Sequence, residues 1–180
     1  MLRIDHDQRR RQTPPAEDLR TAAEFYPLRP GNTWTYEIET NGATERQIVR
    51  VLSVEQIGGA SWSVVESTIE GTDNRSRSLL RTDESRLLEY RNNGTDGRLL
   101  IDFAASTALR ADPSVGFVET EHVDADSAGM TFHECVTVAT GQVDNEVGTY
   151  APGVGLVEST WLSGSKRLVH AEIDGLQFPN

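Results

Sequence analysis

The chain has 180 residues, 37% hydrophobic and 25% charged, and its 17 Lys+Arg against 28 Asp+Glu give a formal net charge of −11. That size fits one soluble globular domain, expected to bury about 70% of its unfolded surface and to need no disulfide or metal staple. The acidic balance argues against nucleic acid and against docking on anionic lipid, both of which need clustered Lys and Arg.

Met1 to Glu17 reads as a flexible polar arm, and residues 18–180 as a single β-rich domain. The arm carries the basic run Arg9-Arg10-Arg11 and then Pro14-Pro15. Its composition is that of a disordered tail, with an anchor for an acidic partner as the other reading. Met1 to Gln12 has no apolar signal core, and no apolar run approaches the ~18–20 residues of a membrane span. Read as a complete chain, the protein is expected in the cytoplasm.

Glu17 to Phe25 is expected to form one short helix, ended by Pro27 and Pro30-Gly31. The period then changes to two. Trp34, Tyr36 and Ile38 alternate with Thr35, Glu37 and Glu39, as in a half-buried strand. Asn41-Gly42 signals a hairpin, because both turn positions need φ > 0. Gln47 to Ile57 returns, Gly58-Gly59 turns again, and Ser61 to Glu70 forms the third strand. Gly71 to Asn74 is a loop. Ser76 to Thr82 and Arg86 to Arg91 pair through Asp83-Glu84-Ser85. A turn-rich loop, Asn92 to Gly97, precedes the strand Arg98 to Phe103.

Ala104 to Pro113 lacks a period and reads as a loop or one helical turn. Gly116 to Val123 is a strand. Met130 to Thr140 is a longer one, with Met130, Phe132, Val136 and Val138 on one face and Glu134 breaking it. Pro152-Gly153-Val154-Gly155 is a turn or bulge entering a strand. Gly155 to Leu162, Ser163-Gly164-Ser165 and Lys166 to Asp174 make a last hairpin. The sum is an all-β, mainly antiparallel meander of about nine or ten strands, with a short N-terminal helix. A sheet of that size is expected to curl into a barrel, a half-barrel or two packed layers.

Sites of chemistry are sparse. Cys135 is the single cysteine, so no internal disulfide forms. It reads as a packed hydrophobe rather than a nucleophile, since His133 two residues away points parallel to it at roughly 7 Å. His122, His133 and His170, with Glu121, Asp124 and Glu134, are the only candidates for a dispersed acid–base or metal site. No HxH, HExxH or CxxC spacing supports one. Glu119, Glu121, Asp124 and Asp126 read as a solvated strand face. Asn74-Arg75-Ser76 and Asn93-Gly94-Thr95 match the glycosylation sequon without further support. No catalytic residue, metal ligand or cofactor is assigned.

Three segments resemble a family of uncharacterised bacterial secreted proteins and lipoproteins. Tyr26-Pro27-Leu28-Arg29-Pro30-Gly31-Asn32-Thr33-Trp34-Thr35-Tyr36 is similar to its opening, YPLxxGNxWxY. Tyr150-Ala151-Pro152-Gly153-Val154-Gly155-Leu156-Val157 is similar to its closing YAPGVGLV. Ala128 to Val138 resembles its AGTFxxCxxV segment, with Met130 inserted. The resemblance implies a β-rich fold and an extracytoplasmic setting, periplasmic or secreted. It implies no activity.

The reading reached is a noncatalytic envelope-associated binding or assembly module. Its partner is expected to be a lipid, another hydrophobic small molecule or an envelope protein. The candidate ligand-binding residues are Trp34, Tyr36, Trp62 and Leu156, lining a concavity. A concavity filled by its own side chains or a helix leaves protein–protein contact instead. The alternatives are a small enzyme with a dispersed His/carboxylate site and a purely structural interaction domain with exposed strand edges.

Overall fold

Successive hairpins with one apolar face must close on something, and this chain closes on itself. The computed structural model describes residues 21–91, 97–104, 115–140 and 146–179. The polar arm, most of the aperiodic segment after Ala104 and the sequon at Asn93 lie outside the described residues. A short helix, α1 (Ala22–Phe25), leads into β1 (Thr33–Thr40), β2 (Ala43–Ile57), β3 (Ala60–Ile69), β4 (Arg75–Asp83), β5 (Arg86–Glu89) and β6 (Arg98–Asp102). Then follow β7 (Gly116–Ser127), β8 (Met130–Thr140), β9 (Val147–Ala151), β10 (Gly155–Trp161), β11 (Gly164–Ile173) and β12 (Leu176–Phe178).

Sequence neighbours are sheet neighbours throughout, and β1 pairs with both β2 and β11. Strands β1 to β11 therefore form a closed up-and-down barrel. Its weakest seam is β6 against β7, a parallel contact of only Ile101 with Gly116 and Asp102 with Phe117. β12 turns back at Asp174-Gly175 and pairs with residues 171–173. It takes the edge of β11 that β10 occupies at residues 164–167, since β1 fills the other edge.

The all-β barrel agrees with the periodicity. Two strands were not visible in it. β9 is five residues with Gly148 inside, and β12 is three residues long. Neither is long enough to establish alternation. The helix begins at Ala22 within the described residues and is one turn. The turn between β10 and β11 is Leu162-Ser163, not Ser163-Gly164-Ser165, because Trp161 pairs with Gly164. Gly164 stands in the strand for a steric reason. A Cβ there would collide with the Glu39 carbonyl oxygen and lie 2.8 Å from the Trp161 ring.

The break at Glu134 is a bulge. Ala125 pairs with Phe132 but Val123 with Cys135, so β8 carries one extra residue. Glu134 lies at φ 57, and His122 on β7 lies at φ 56. These opposed bulges put Phe132 and Cys135 on one face and Val136 and Val138 on the other, and all four are buried.

The barrel interior is occupied. Phe25 of α1 is fully buried and stacks on Phe103 at 5.3 Å, and Phe103 meets Tyr150 edge-on at 5.5 Å. Burial of a side chain of that size contributes about 1.5–3 kcal/mol. The helix is held at both ends: the Ala22 amide donates to the Glu84 carbonyl and the Gly153 amide to the Glu24 carbonyl, each at 2.7 Å. Trp34, Tyr36, Val51, Val65, Leu87, Val157 and Leu168 complete the same core.

Gly164→Val should press β11 off β1 at the point where the barrel closes. The expected loss is about 1–3 kcal/mol of stability. Urea unfolding would show it as a lower midpoint at unchanged slope.

Candidate functional site

The segment from Tyr26 to Tyr36 crosses one end of the barrel and is tied there by side-chain amides and hydroxyls. Asn32 is buried and fully used. Its Nδ2 donates to the Pro27 carbonyl at 2.9 Å, and its Oδ1 accepts from the Asp174 amide at 2.9 Å. Trp34 and Tyr36, two residues apart on β1, both point inward. The Trp34 indole Nε1 donates to the Val154 carbonyl at 2.6 Å, and the Tyr36 hydroxyl donates to the Leu156 carbonyl at 3.1 Å. Gly155 between those carbonyls sits at φ 106, where a side chain would be strained and its Cβ would lie 3.4 Å from the indole nitrogen.

Three of the four candidate residues thus meet. Trp34, Tyr36 and Leu156, with Tyr26 and Lys166, line a cavity of about 50 Å³. Pockets for drug-sized ligands run to about 300–1,000 Å³, so this space takes only a few atoms. Burial holds the Tyr36 phenol well above its ordinary pKa, and Tyr26 rises for the same reason. Burial lowers the Lys166 amine, while attraction to Glu146 opposes that.

Trp62 is elsewhere. Ser63 and Val65 of β3 take the inward positions, so Trp62 faces out with Val64. The Trp62 ring is fully buried against Tyr90 at 5.4 Å and under the Arg81 guanidinium at 4.9 Å. Its Nε1 is buried without a hydrogen-bond partner among the described residues.

A groove of about 630 Å³ lies on the outside. It runs between the β7–β8 turn, residues 126–131, and the outward side chains Glu37 and Arg167 of β1 and β11. The groove floor is anchored by Ser127, whose buried hydroxyl lies 3.0 Å from the Val157 carbonyl and 2.9 Å from that of Leu168. Arg167 reaches Glu37 at 3.2 Å across the barrel closure.

The histidines of β7 and β8 do find carboxylates. His122 Nδ1 contacts Glu134, and His133 Nδ1 lies 3.0 Å from Asp124. All four side chains are exposed, and neither pair lines the cavity or the groove. His170 is on β11 opposite Thr35. Among the described residues no group of three or more His, Cys, Asp or Glu is arranged to hold a metal. Cys135 is fully buried, and burial, with repulsion from Asp124 behind it, pushes its thiol up to about 11.

Lys166 and Ser127 were not singled out by pattern. Lys166 carried a signal: it alternates with Leu168 and so shares the inward face. Ser127 carried none.

No family model matches the chain, and no curated protein sequence matches it. Solved structures resemble it. A protein of Bacteroides fragilis named as exported, with a YmcC-like fold, superposes with a TM-score of 0.50 at 14% identity, over 82% of this chain and 98% of that one. A protein of Parabacteroides distasonis named as a lipoprotein gives 0.49 at 11% identity, over 82% and 97%. MucB gives 0.37 at 14% identity, over 85% of this chain and 56% of MucB. The first likeness supports the fold; the other two carry no argument.

Two outcomes follow from this geometry. Trp34→Phe should strand the Val154 carbonyl in the core and cost about 1–3 kcal/mol in chemical denaturation. The Cys135 thiol should react with an aromatic disulfide reagent at pH 8 only after unfolding. Its pKa rises from 9.0 to about 11 on folding, so between those values unfolding releases a proton. Stability should therefore fall as pH climbs through that window, and Cys135→Ala should flatten the fall.

Proposed function

We propose that this chain is a noncatalytic binding module of the bacterial cell envelope that engages a protein partner on its outer surface. The observation that carries the reading is the occupied barrel. Phe25, Trp34, Tyr36, Tyr150 and Leu168 pack together in the core, and the cavity beside Trp34, Tyr36 and Leu156 is about 50 Å³, too small for a lipid chain. The exterior offers more room for a protein partner, in the groove of about 630 Å³ beside the β7–β8 turn. On this reading Trp34, Tyr36 and Leu156 hold the barrel shut, and Trp62 anchors a cluster on the outside.

The envelope setting is supported by the opening and closing segments described above. The Bacteroides fragilis protein of similar fold is named as exported, which agrees with it. The His–carboxylate pairs favour a second reading, acid–base chemistry, because each is within hydrogen-bond reach. Exposed pairs without an enclosing pocket exclude no water and hold no substrate in place, so binding is the better reading.

Native mass spectrometry of the protein recovered from its own cells, with solvent extraction, tests the proposal. The expected result is a chain free of lipid, together with a heavier protein complex that disperses in a Met130→Glu variant of the groove. A stoichiometric lipid on the monomer, or a monomer that never enters a complex, would overturn it.

A further inference from the structure

Lys166 is the chain's single lysine, and it is placed where a lysine is least expected. It pairs with Ile38 on β1 and alternates with Leu168, so it faces the barrel interior. Its Nζ stands 5.3 Å from the centre of the Tyr36 ring and lines the small cavity with Tyr26, Trp34 and Leu156. Among the described residues it makes no hydrogen bond and no ion pair. The nearby Glu146 carboxylate is engaged by the Ser159 hydroxyl at 2.6 Å, on the residue directly opposite Lys166 in β10. The phenol-bearing rings of Tyr36 and Tyr26 line the same cavity.

A half-buried ammonium has three donors, and one ring face satisfies none of them in the manner of an acceptor. Leaving such a group unpaired is costly, and the protein retains it beside an open space. A water needs about 10–15 Å³ of such space, so about 50 Å³ takes roughly three or four non-hydrogen atoms. That is the size of a carboxylate with its adjoining carbon. The cavity walls are largely the rings of Tyr26, Trp34 and Tyr36 and the Leu156 side chain.

We propose that the barrel interior holds a site for one carboxylate, bound by Lys166 over the face of Tyr36. Two sources share that chemistry: a free short-chain carboxylic acid and the C-terminus of a peptide. The site does not depend on the outer groove, and it stands or falls separately from the reading of that surface.

Because there is one lysine, labelling the chain with lysine carrying ¹³C at Cε gives a single reporter signal. Sodium acetate is titrated against the full chain at constant ionic strength, with sodium chloride as the balancing salt. Binding should displace the Lys166 signal saturably, with a dissociation constant on the order of 1 mM for so small a ligand. It should also move the midpoint of that signal's pH titration upward, since a bound anion favours the ammonium. Acetyl-triglycine with a free C-terminus is compared with its amide. Tighter binding of the free peptide than of acetate, with none by the amide, assigns the site to a C-terminus. Acetate alone assigns it to a free acid. Calorimetry on Lys166→Met should show at least a tenfold loss of whichever ligand binds. A linear, chloride-like response of the wild-type signal to both probes, or unchanged binding by a folded Lys166→Met, would overturn the proposal.

Discussion

The barrel depends on side chains that take the place of a missing strand. β10 pairs with β11 only from Glu158 to Trp161. Below Glu158 the two strands part, and side chains rather than a continued ladder reach the carbonyls of Val154, Leu156, Val157 and Leu168. A buried carbonyl without a donor costs about 1–3 kcal/mol. The Trp34 indole serves Val154, the Tyr36 hydroxyl serves Leu156, and the Ser127 hydroxyl lies between Val157 and Leu168. Asn32 then fixes the entry of β1 to the turn after β11 through the Asp174 amide. Since β1 is the strand at which the circle closes, these few bonds couple the first and last parts of the fold. They also give physical content to the segments Tyr26–Tyr36 and Tyr150–Val157: one supplies the donors, and the other presents the carbonyls.

This accounts for what the sequence made legible. Alternation at Trp34 and Tyr36 placed both on one face, and that face is the interior. Alternation at Trp62 and Val64 looked the same, yet that face is the exterior. Period two separates the faces of a strand without saying which is inward. In β3 the inward positions are held by Ser63, Val65 and Ser67, and the outward ones by Trp62, Val64 and Glu66. The choice is made by neighbours: Ser63 donates to the Leu28 carbonyl and Val65 packs opposite Val51. Partners such as Trp34 and Val154 are 120 residues apart, and no local pattern joins them.

Glu134 shows the opposite case, a local irregularity that was visible but unexplained. A carboxylate on the face shared by Phe132 and Val136 is a contradiction for a regular strand. The bulge removes it by inserting one residue, so that Glu134 leaves the apolar face and reaches His122 on the facing bulge. The cost is two non-glycine residues near φ 56, roughly 1–2 kcal/mol of strain each. An exposed ion pair returns only about 0–1 kcal/mol. Burial of Phe132 and Cys135 is therefore what sustains the bend, and the histidine pairs are its trim rather than its cause.

The bend decides what the outside of the molecule can do. Among the described strands, β7 beyond Phe117 pairs only with β8, and β8 before Val136 only with β7, so this hairpin arm extends past the rest of the strand ladder. Open edges invite strand addition unless charge or a bulge disrupts them. Here both devices are present: Glu119, Glu121, Asp124 and Asp126 stud β7, and the bulges break the ladder at His122 and Glu134. Pairing by backbone along this arm is thereby disfavoured. The recess at its tip is different. It is floored by a fixed Ser127, walled by Met130 on one side and by Arg167 and Glu37 on the other, and it offers shape with both signs of charge. On the proposed reading, a partner that reads side chains rather than a strand edge would find its purchase there.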